Sequence, residues 1–336
     1  MTVDRPIVES RGLNLVLLGT QAGPPPVLSR AGISSAVIVD GVSYVIDCGR
    51  SSVSQYQRAG LKYASLRNIF ITHLHADHVC DYYNFFLLAG TTISGDQAPV
   101  GVQAYGPGAA GALPPAAGDA QVSSINPTNP TPGLIDLTES CHAAYAYSSN
   151  ILRRGAPAQI RDIRDLVVPK EINIPDVGAS ALGETAPLMQ PFVVTEDDRV
   201  RISAILVPHG DVFPAFAYRF DTDYGSITFS GDTRRSENVI TLAGGSDILV
   251  HEAISLPAAG VPQRFAQYQK RIHTLVDEVG ALAQAAEVPH LVLSHLSDLG
   301  TPGYIDTDSW QRRASAGYSG RVTIGCDLES FAVGRG

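Results

Sequence analysis

Ile69-Phe70-Ile71-Thr72-His73-Leu74-His75-Ala76-Asp77-His78 is the stretch whose reading decides the fold. Its first half is β-branched and aromatic, the composition of a buried strand. Residues two apart in a strand face the same way, so His73 and His75 can converge just beyond the strand end. Asp77 and His78 follow in the turn or first helical residues and offer an oxygen and a nitrogen to a second nearby point. Imidazole and carboxylate donors suit zinc, iron or manganese, and two such points make a two-metal hydrolytic centre. The alternative, a polar loop with adventitious histidines, would serve for one histidine but not for this cluster.

The chain has 336 residues, 44% hydrophobic and 17% charged, with a formal net charge of −9. That describes a globular protein with a substantial core. Its scattered Lys and Arg argue against a general nucleic-acid binder, whose affinity rests on neutralising phosphates. Cys48, Cys80, Cys141 and Cys326 form no CxxC pair and read as reduced thiols. Met1 to Gly12 lacks the apolar segment of a signal peptide, and no window has the length of a membrane span, so the expected compartment is the cytoplasm.

Outward from the cluster, strands are expected at Leu13–Leu18 and in a hairpin, Ser35–Val39 and Tyr44–Ile46, turned by Asp40-Gly41. A helix from Ser52 to Ala59 has Ser51 or Ser52 as its N-cap and Gly60 as its stop. A further helix, Val79 to Ala89, carries Tyr82, Tyr83, Phe85 and Phe86, an aromatic stripe that reads first as core. The Gly/Pro-rich stretch beginning near Gly106, with a helix over Leu137–Leu152, is expected to be an insertion over the active-site face, spanning about 106–195. Later strands end in ligand-type residues: Pro208-His209, Ser230-Gly231-Asp232, His251-Glu252 and Ser294-His295. His273-Thr274 is expected to open a helix to Ala286, and Arg321–Gly325 to form a last strand. Polar residues at strand ends of a layered α/β protein are where sites assemble. The two halves, each strands and then helices, predict a four-layer αββα sandwich, a single domain over residues 1–336.

These residues resemble the metallo-β-lactamase superfamily, and within it the ribonuclease Z and arylsulfatase-like branch. The pieces that carry the likeness are Leu17-Leu18-Gly19-Thr20, Ile46-Asp47-Cys48-Gly49, the Thr72–His78 motif, Ala104-Tyr105-Gly106-Pro107, Pro208-His209, Ser230-Gly231-Asp232-Thr233, His251-Glu252-Ala253, His273-Thr274 and Leu293-Ser294-His295. The resemblance implies two divalent metal ions, zinc first and iron or manganese as alternatives. His73, His75 and His209 would hold one, Asp77, His78 and His295 the other, with Asp232 bridging. A metal-bridging hydroxide would be the nucleophile, held by Asp77 or Asp232. Glu252 would orient His273 toward the leaving group, and His251 would be either catalytic or a support for the ligands.

Ribonuclease Z enzymes carry a protruding arm that grips tRNA, placed in short forms after the position matching His209. Here only Asp221 to Gly225 separate two strands in that interval, which leaves no room for an arm. The expected substrate is therefore a small molecule (a sulfate ester, phosphoester, lactone or activated aryl compound), partly aromatic or apolar, with nucleic acid and membrane not expected as partners. Candidate pocket aromatics are Tyr82 to Phe86, Tyr145, Tyr147, Phe213, Phe216 and Trp310. The alternatives are a tRNA 3′-processing endonuclease and a non-catalytic metal-binding module. A homodimer is implied by the resemblance alone.

Overall fold

Leu13, Leu15 and Leu17 of the first strand, β1 (Leu13–Gly19), enter one apolar core, and Val16 and Leu18 enter another. The same two-residue alternation sends Val37 and Val39 one way, and Ala36 and Ile38 the other, from β2 (Ser34–Val39). A sheet apolar on both faces must be covered on both, and that requirement builds the layers. The computed structural model shows two seven-stranded sheets with helices flanking them. It describes residues 11–88, 95–116, 118, 120–257 and 260–334. Most of the expected N-terminal segment Met1 to Gly12, and Ala89 at the end of the expected aromatic helix, lie outside the described residues.

The first sheet contains β1, β2, β3 (Val42–Ile46), β4 (Leu66–Phe70), β5 (Val102–Gly106) and β6 (Val167–Glu171). The second contains β7 (Phe192–Glu196), β8 (Arg201–Leu206), β9 (Phe216–Thr222), β10 (Gly225–Phe229), β11 (Ile248–Ser255), β12 (His290–Asp298) and β13 (Arg321–Ile324). The last strand, β14 (Ser330–Val333), returns to the first sheet and pairs antiparallel with β1. Each sheet runs through antiparallel pairs and then parallel ones, so the two halves of the chain repeat one plan. The helices are α1 (Ser52–Arg58), α2 (Ala76–Val79), α3 (Asn84–Leu87), α4 (Leu134–Ala144), α5 (Ala146–Gly155), α6 (Ile163–Leu166), α7 (Glu237–Ala243), α8 (Gln263–Ile272), α9 (Val279–Ala285) and α10 (Thr307–Ala314). None is long and apolar enough to cross a membrane, among the described residues.

The hairpin turn forms as its Asp-Gly pair requires, with positive φ at Asp40 (49°) and Gly41 (80°). Other expectations are corrected. Ser51 does not cap α1 through its side chain; it sits at φ 74°, and the Asp81 carboxylate accepts from Val53 N at 2.9 Å instead. The aromatic helix is broken into α2 and α3, and Tyr82, Tyr83, Phe85 and Phe86 all pack in the core beneath the first sheet. The helix over Leu137–Leu152 is two helices that break at Tyr145. The helix from His273 is shorter, α9, while α8 and β14 form where none was foreseen. Residues 106–195 supply β6 and β7, which extend both sheets, and α4 packs against β6. None of the described residues among them lines the cavity above the histidine–aspartate cluster, so these do not form the expected cover.

Of the candidate pocket aromatics, Phe216 and Trp310 are core residues, and none of the set lines that cavity. Trp310 is 1% exposed and Tyr147 is 82% exposed, which sets opposite mutational costs. Trp310→Ala is expected to lower unfolding free energy by about 3–5 kcal/mol. Tyr147→Ala should stay within about 0.5 kcal/mol. Urea unfolding of both variants checks the ranking.

Candidate metal centre and active site

Asp232 Oδ2 stands at the centre of the site. It lies 3.2 Å from His295 Nε2, 3.4 Å from His78 Nε2, and 3.9 Å from Nε2 of both His73 and His209. On one side His75 Nδ1 is 3.0 Å from His73 Nε2 and 3.3 Å from His209 Nε2. On the other, Asp77 Oδ2 is 3.5 Å from Nε2 of both His78 and His295. The side chains thus gather as His73-His75-His209 and Asp77-His78-Asp232-His295, each set with donor atoms within 4.8 Å of one another. All seven residues singled out as ligands in the sequence are brought together.

The far nitrogens explain why these rings point inward. His78 Nδ1 meets the Asp47 carboxylate at 2.8 Å, and His209 Nδ1 donates to Ile272 O at 2.7 Å. His73 Nδ1 lies 3.1 Å from the Thr72 hydroxyl, and Thr72 N and Oγ1 both donate to Asp47 at 2.8 Å. Such outer partners fix tautomer and ring orientation. Asp47 itself adopts φ 55° at the end of β3. Its place in Ile46-Asp47-Cys48-Gly49 signalled a resemblance, but nothing local signalled that it would support His78.

Two backbone devices complete the placement. His295 is the unpaired residue of a bulge in β12, since Glu252 pairs with Ser294 and Ala253 with Leu296, and its φ is 53°. A bulge re-aims a side chain that regular pleating would send elsewhere. Gly231, at φ 59°, has no room for a Cβ, which would lie 2.5 Å from Phe216 O. The sharp turn after β10 that presents Asp232 therefore needs glycine.

The donor set fits divalent metal. His78 Nε2, His295 Nε2 and Asp232 Oδ1 are buried without a hydrogen-bond partner, a costly arrangement unless something binds there. Burial holds the His73 ring far below the usual imidazole range and brings His209 down to about 4. Both present neutral nitrogens, the form that ligates.

His273, the residue after α8, stands beside these ligands, its ring centroid 5.2 Å from that of His209 and 5.7 Å from that of His295. Its Nδ1 is 2.8 Å from Glu252 Oε1, leaving Nε2 as the other ring nitrogen. Burial pulls the imidazolium down, but the Glu252 carboxylate outweighs it, and the pKa is raised to about 9. Glu252 also accepts from Thr233 N at 3.0 Å and lines the small space of about 30 Å³ behind the ligands, not the larger cavity, so it positions His273. His251 is buried on that same rear side, its Nδ1 donating to Glu252 O at 2.7 Å. The suggestion that His251 is catalytic is corrected: it cannot touch a substrate in the front cavity.

That cavity, about 680 Å³, opens over His75, Asp77, His209, Asp232, His273 and His295. Tyr268 of α8 also lines it and was missed, because no helix was foreseen there.

The arrangement can be set beside known proteins. A family model described as anti-Pycsar protein Apyc1 matches residues 31–83. The fold matches the metallo-β-lactamase fold protein YhfI from Bacillus subtilis, with TM-score 0.60 and 14% identity over 95% of this chain and 98% of that one. It also matches the human short-form tRNase Z, with TM-score 0.64 and 18% identity over 95% and 99%. A ribonuclease Z of Mycobacterium bovis (strain BCG / Pasteur 1173P2) is 26% identical over 96% of this chain and 98% of its own length. The chain has the metallo-β-lactamase fold and is similar in sequence to ribonucleases Z along nearly its whole length.

One expectation falls with these comparisons. A small-molecule substrate was expected ahead of nucleic acid, on the net charge and the missing arm, yet the relative followed end to end is named ribonuclease Z. Net charge sums a whole surface and says little about one phosphate at a metal-binding cluster. The short β9–β10 turn is observed, with Thr222 pairing with Gly225, but one missing grip does not decide the substrate.

Asp47→Asn is expected to weaken metal binding by about 10–100-fold, read by chelator competition. His273 carries its proton at neutral pH, and chemistry that uses this proton is lost as pH rises through about 9. Glu252→Gln removes the charge that raises the pKa, so the alkaline limb of kcat/KM should move to lower pH.

Proposed function

We propose that the chain is a metal-dependent endonuclease that cleaves RNA phosphodiester bonds at the 3′ side of tRNA. The observation that carries this reading is the set of donors around Asp232 with His273 at its open edge, in a chain collinear with a protein named ribonuclease Z. His73, His75 and His209 would hold one divalent ion, Asp77, His78 and His295 a second, with Asp232 between them. Zinc suits these nitrogen and oxygen donors. Such ions supply Lewis acidity toward a phosphoryl oxygen and a water nucleophile at neutral pH.

The protein's own groups do the rest. Asp77 accepts from Gly23 N at 3.1 Å, which ties the ligand loop to the rim of the cavity. Asp47 and Thr72 keep the His73 and His78 rings turned inward. Glu252 holds His273 by Nδ1, so the proton to be delivered to the departing oxygen is carried at Nε2. Water adds its oxygen to phosphorus and releases a proton to solvent, the P–O bond to the departing oxygen breaks as that oxygen takes the proton from Nε2, and the His273 ring is left neutral beside Glu252.

Cleavage of a labelled precursor tRNA by the metal-loaded protein tests this reading. Asp77→Ala should abolish cleavage, and His273→Ala should lower kcat by about 10²–10⁴-fold with a smaller change in KM. Full activity after metal removal, or no cleavage by a metal-replete protein, would overturn it.

A further inference from the structure

The front cavity has two chemically different parts. Its floor is the ligand cluster and His273. Its walls carry no Lys or Arg among the described residues and are formed largely by Tyr268, Pro24, Pro25, Val27, Leu299 and Pro302. A phosphodiester reaching the floor would find its charge met there and not at the walls. The walls instead offer flat and apolar surface to whatever the phosphate carries.

Tyr268 is placed for a planar group. It lies on α8 one turn before Ile272, which is buried, and in the helix whose next residue is His273. Gln269 and His273, also four apart, face the same cavity. Tyr268 is nonetheless 51% exposed, although it borders the cavity. Phe216 and Trp310, by contrast, are spent in the core.

We infer that the recess between α8 and the proline-containing segments at 22–27 and 299–303 is a nucleobase subsite, in which Tyr268 stacks on the base of the nucleotide whose phosphate reaches the ligand cluster. This deepens the proposed function and rests on it for the substrate class. Stacking on one aromatic ring tolerates any base, because every base has a π-face. Tyr268 is accordingly a substrate-binding residue that sets affinity without choosing among sequences. Its position on the helix that ends at His273 puts the base and the proton donor in a fixed relation.

Calorimetric titration of the metal-loaded protein with adenosine 5′-monophosphate and with ribose 5-phosphate, its base-free counterpart, tests the subsite without requiring turnover. The nucleotide should bind about 10-fold more tightly than the sugar phosphate. Tyr268→Ala should bring that ratio near one while leaving ribose 5-phosphate affinity unchanged, and Tyr268→Phe should preserve it. Equal affinities in the wild-type protein, or a ratio that survives Tyr268→Ala, would overturn the inference. Precursor tRNA cleavage is scored separately: a preserved ratio without cleavage rejects only the endonuclease reading, and cleavage without a ratio rejects only the subsite.

Discussion

Four imidazole nitrogens within 3.9 Å of one buried carboxylate oxygen, Asp232 Oδ2, are the arrangement on which this structure depends. Burying these polar groups together carries a desolvation cost, so packing alone does not gather them this way. They are held from behind. Asp47 and Thr72 brace the first-sheet histidines, the Ile272 carbonyl braces His209, and the β12 bulge turns His295 inward. Two sheets buried on their inner faces supply the rigid frame that keeps these braces apart and in register.

Helix α8 links functions that the chain keeps separate. The carbonyl of its last residue, Ile272, accepts a hydrogen bond from His209 Nδ1, and the following residue, His273, is paired with Glu252 from the neighbouring strand β11. Ile272 also packs close to Gly210, where a Cβ would come within 2.5 Å of Ile272 Cγ2. A shift of this helix would therefore disturb a ligand, the proton donor and the cavity wall together. The rear network of Glu252 and Thr233 is buried and hydrogen-bonded, which resists such a shift.

Much of the site could be read before the fold was known. Six of the seven ligand positions follow an apolar strand and His295 sits on the bulge within β12, and apolar runs closed by such residues are recognisable from local composition. What local pattern could not show was which residues support them. Asp47 lies 31 positions before His78, and Ile272 lies 63 after His209. His251 and Glu252 are adjacent in sequence, yet only the second reaches His273, because successive residues of a strand face opposite ways. The aromatic residues misled for a related reason: composition marks a ring as apolar but does not say whether the core or a cavity takes it.

The sequence by itself determined the chemistry, because ligand type and close spacing along a strand and its turn are local properties. It also determined the two-layered sheet plan, through alternation that buries both faces of strands such as β1. Tertiary structure alone decided the roles around that chemistry. It separated His251 at the rear from His273 at the front, sent residues 106–195 to the sheet edges, and raised α8 over the cavity. Those outcomes depend on contacts between segments far apart in the chain, and no local pattern of residues encodes which distant surface a helix or loop will cover.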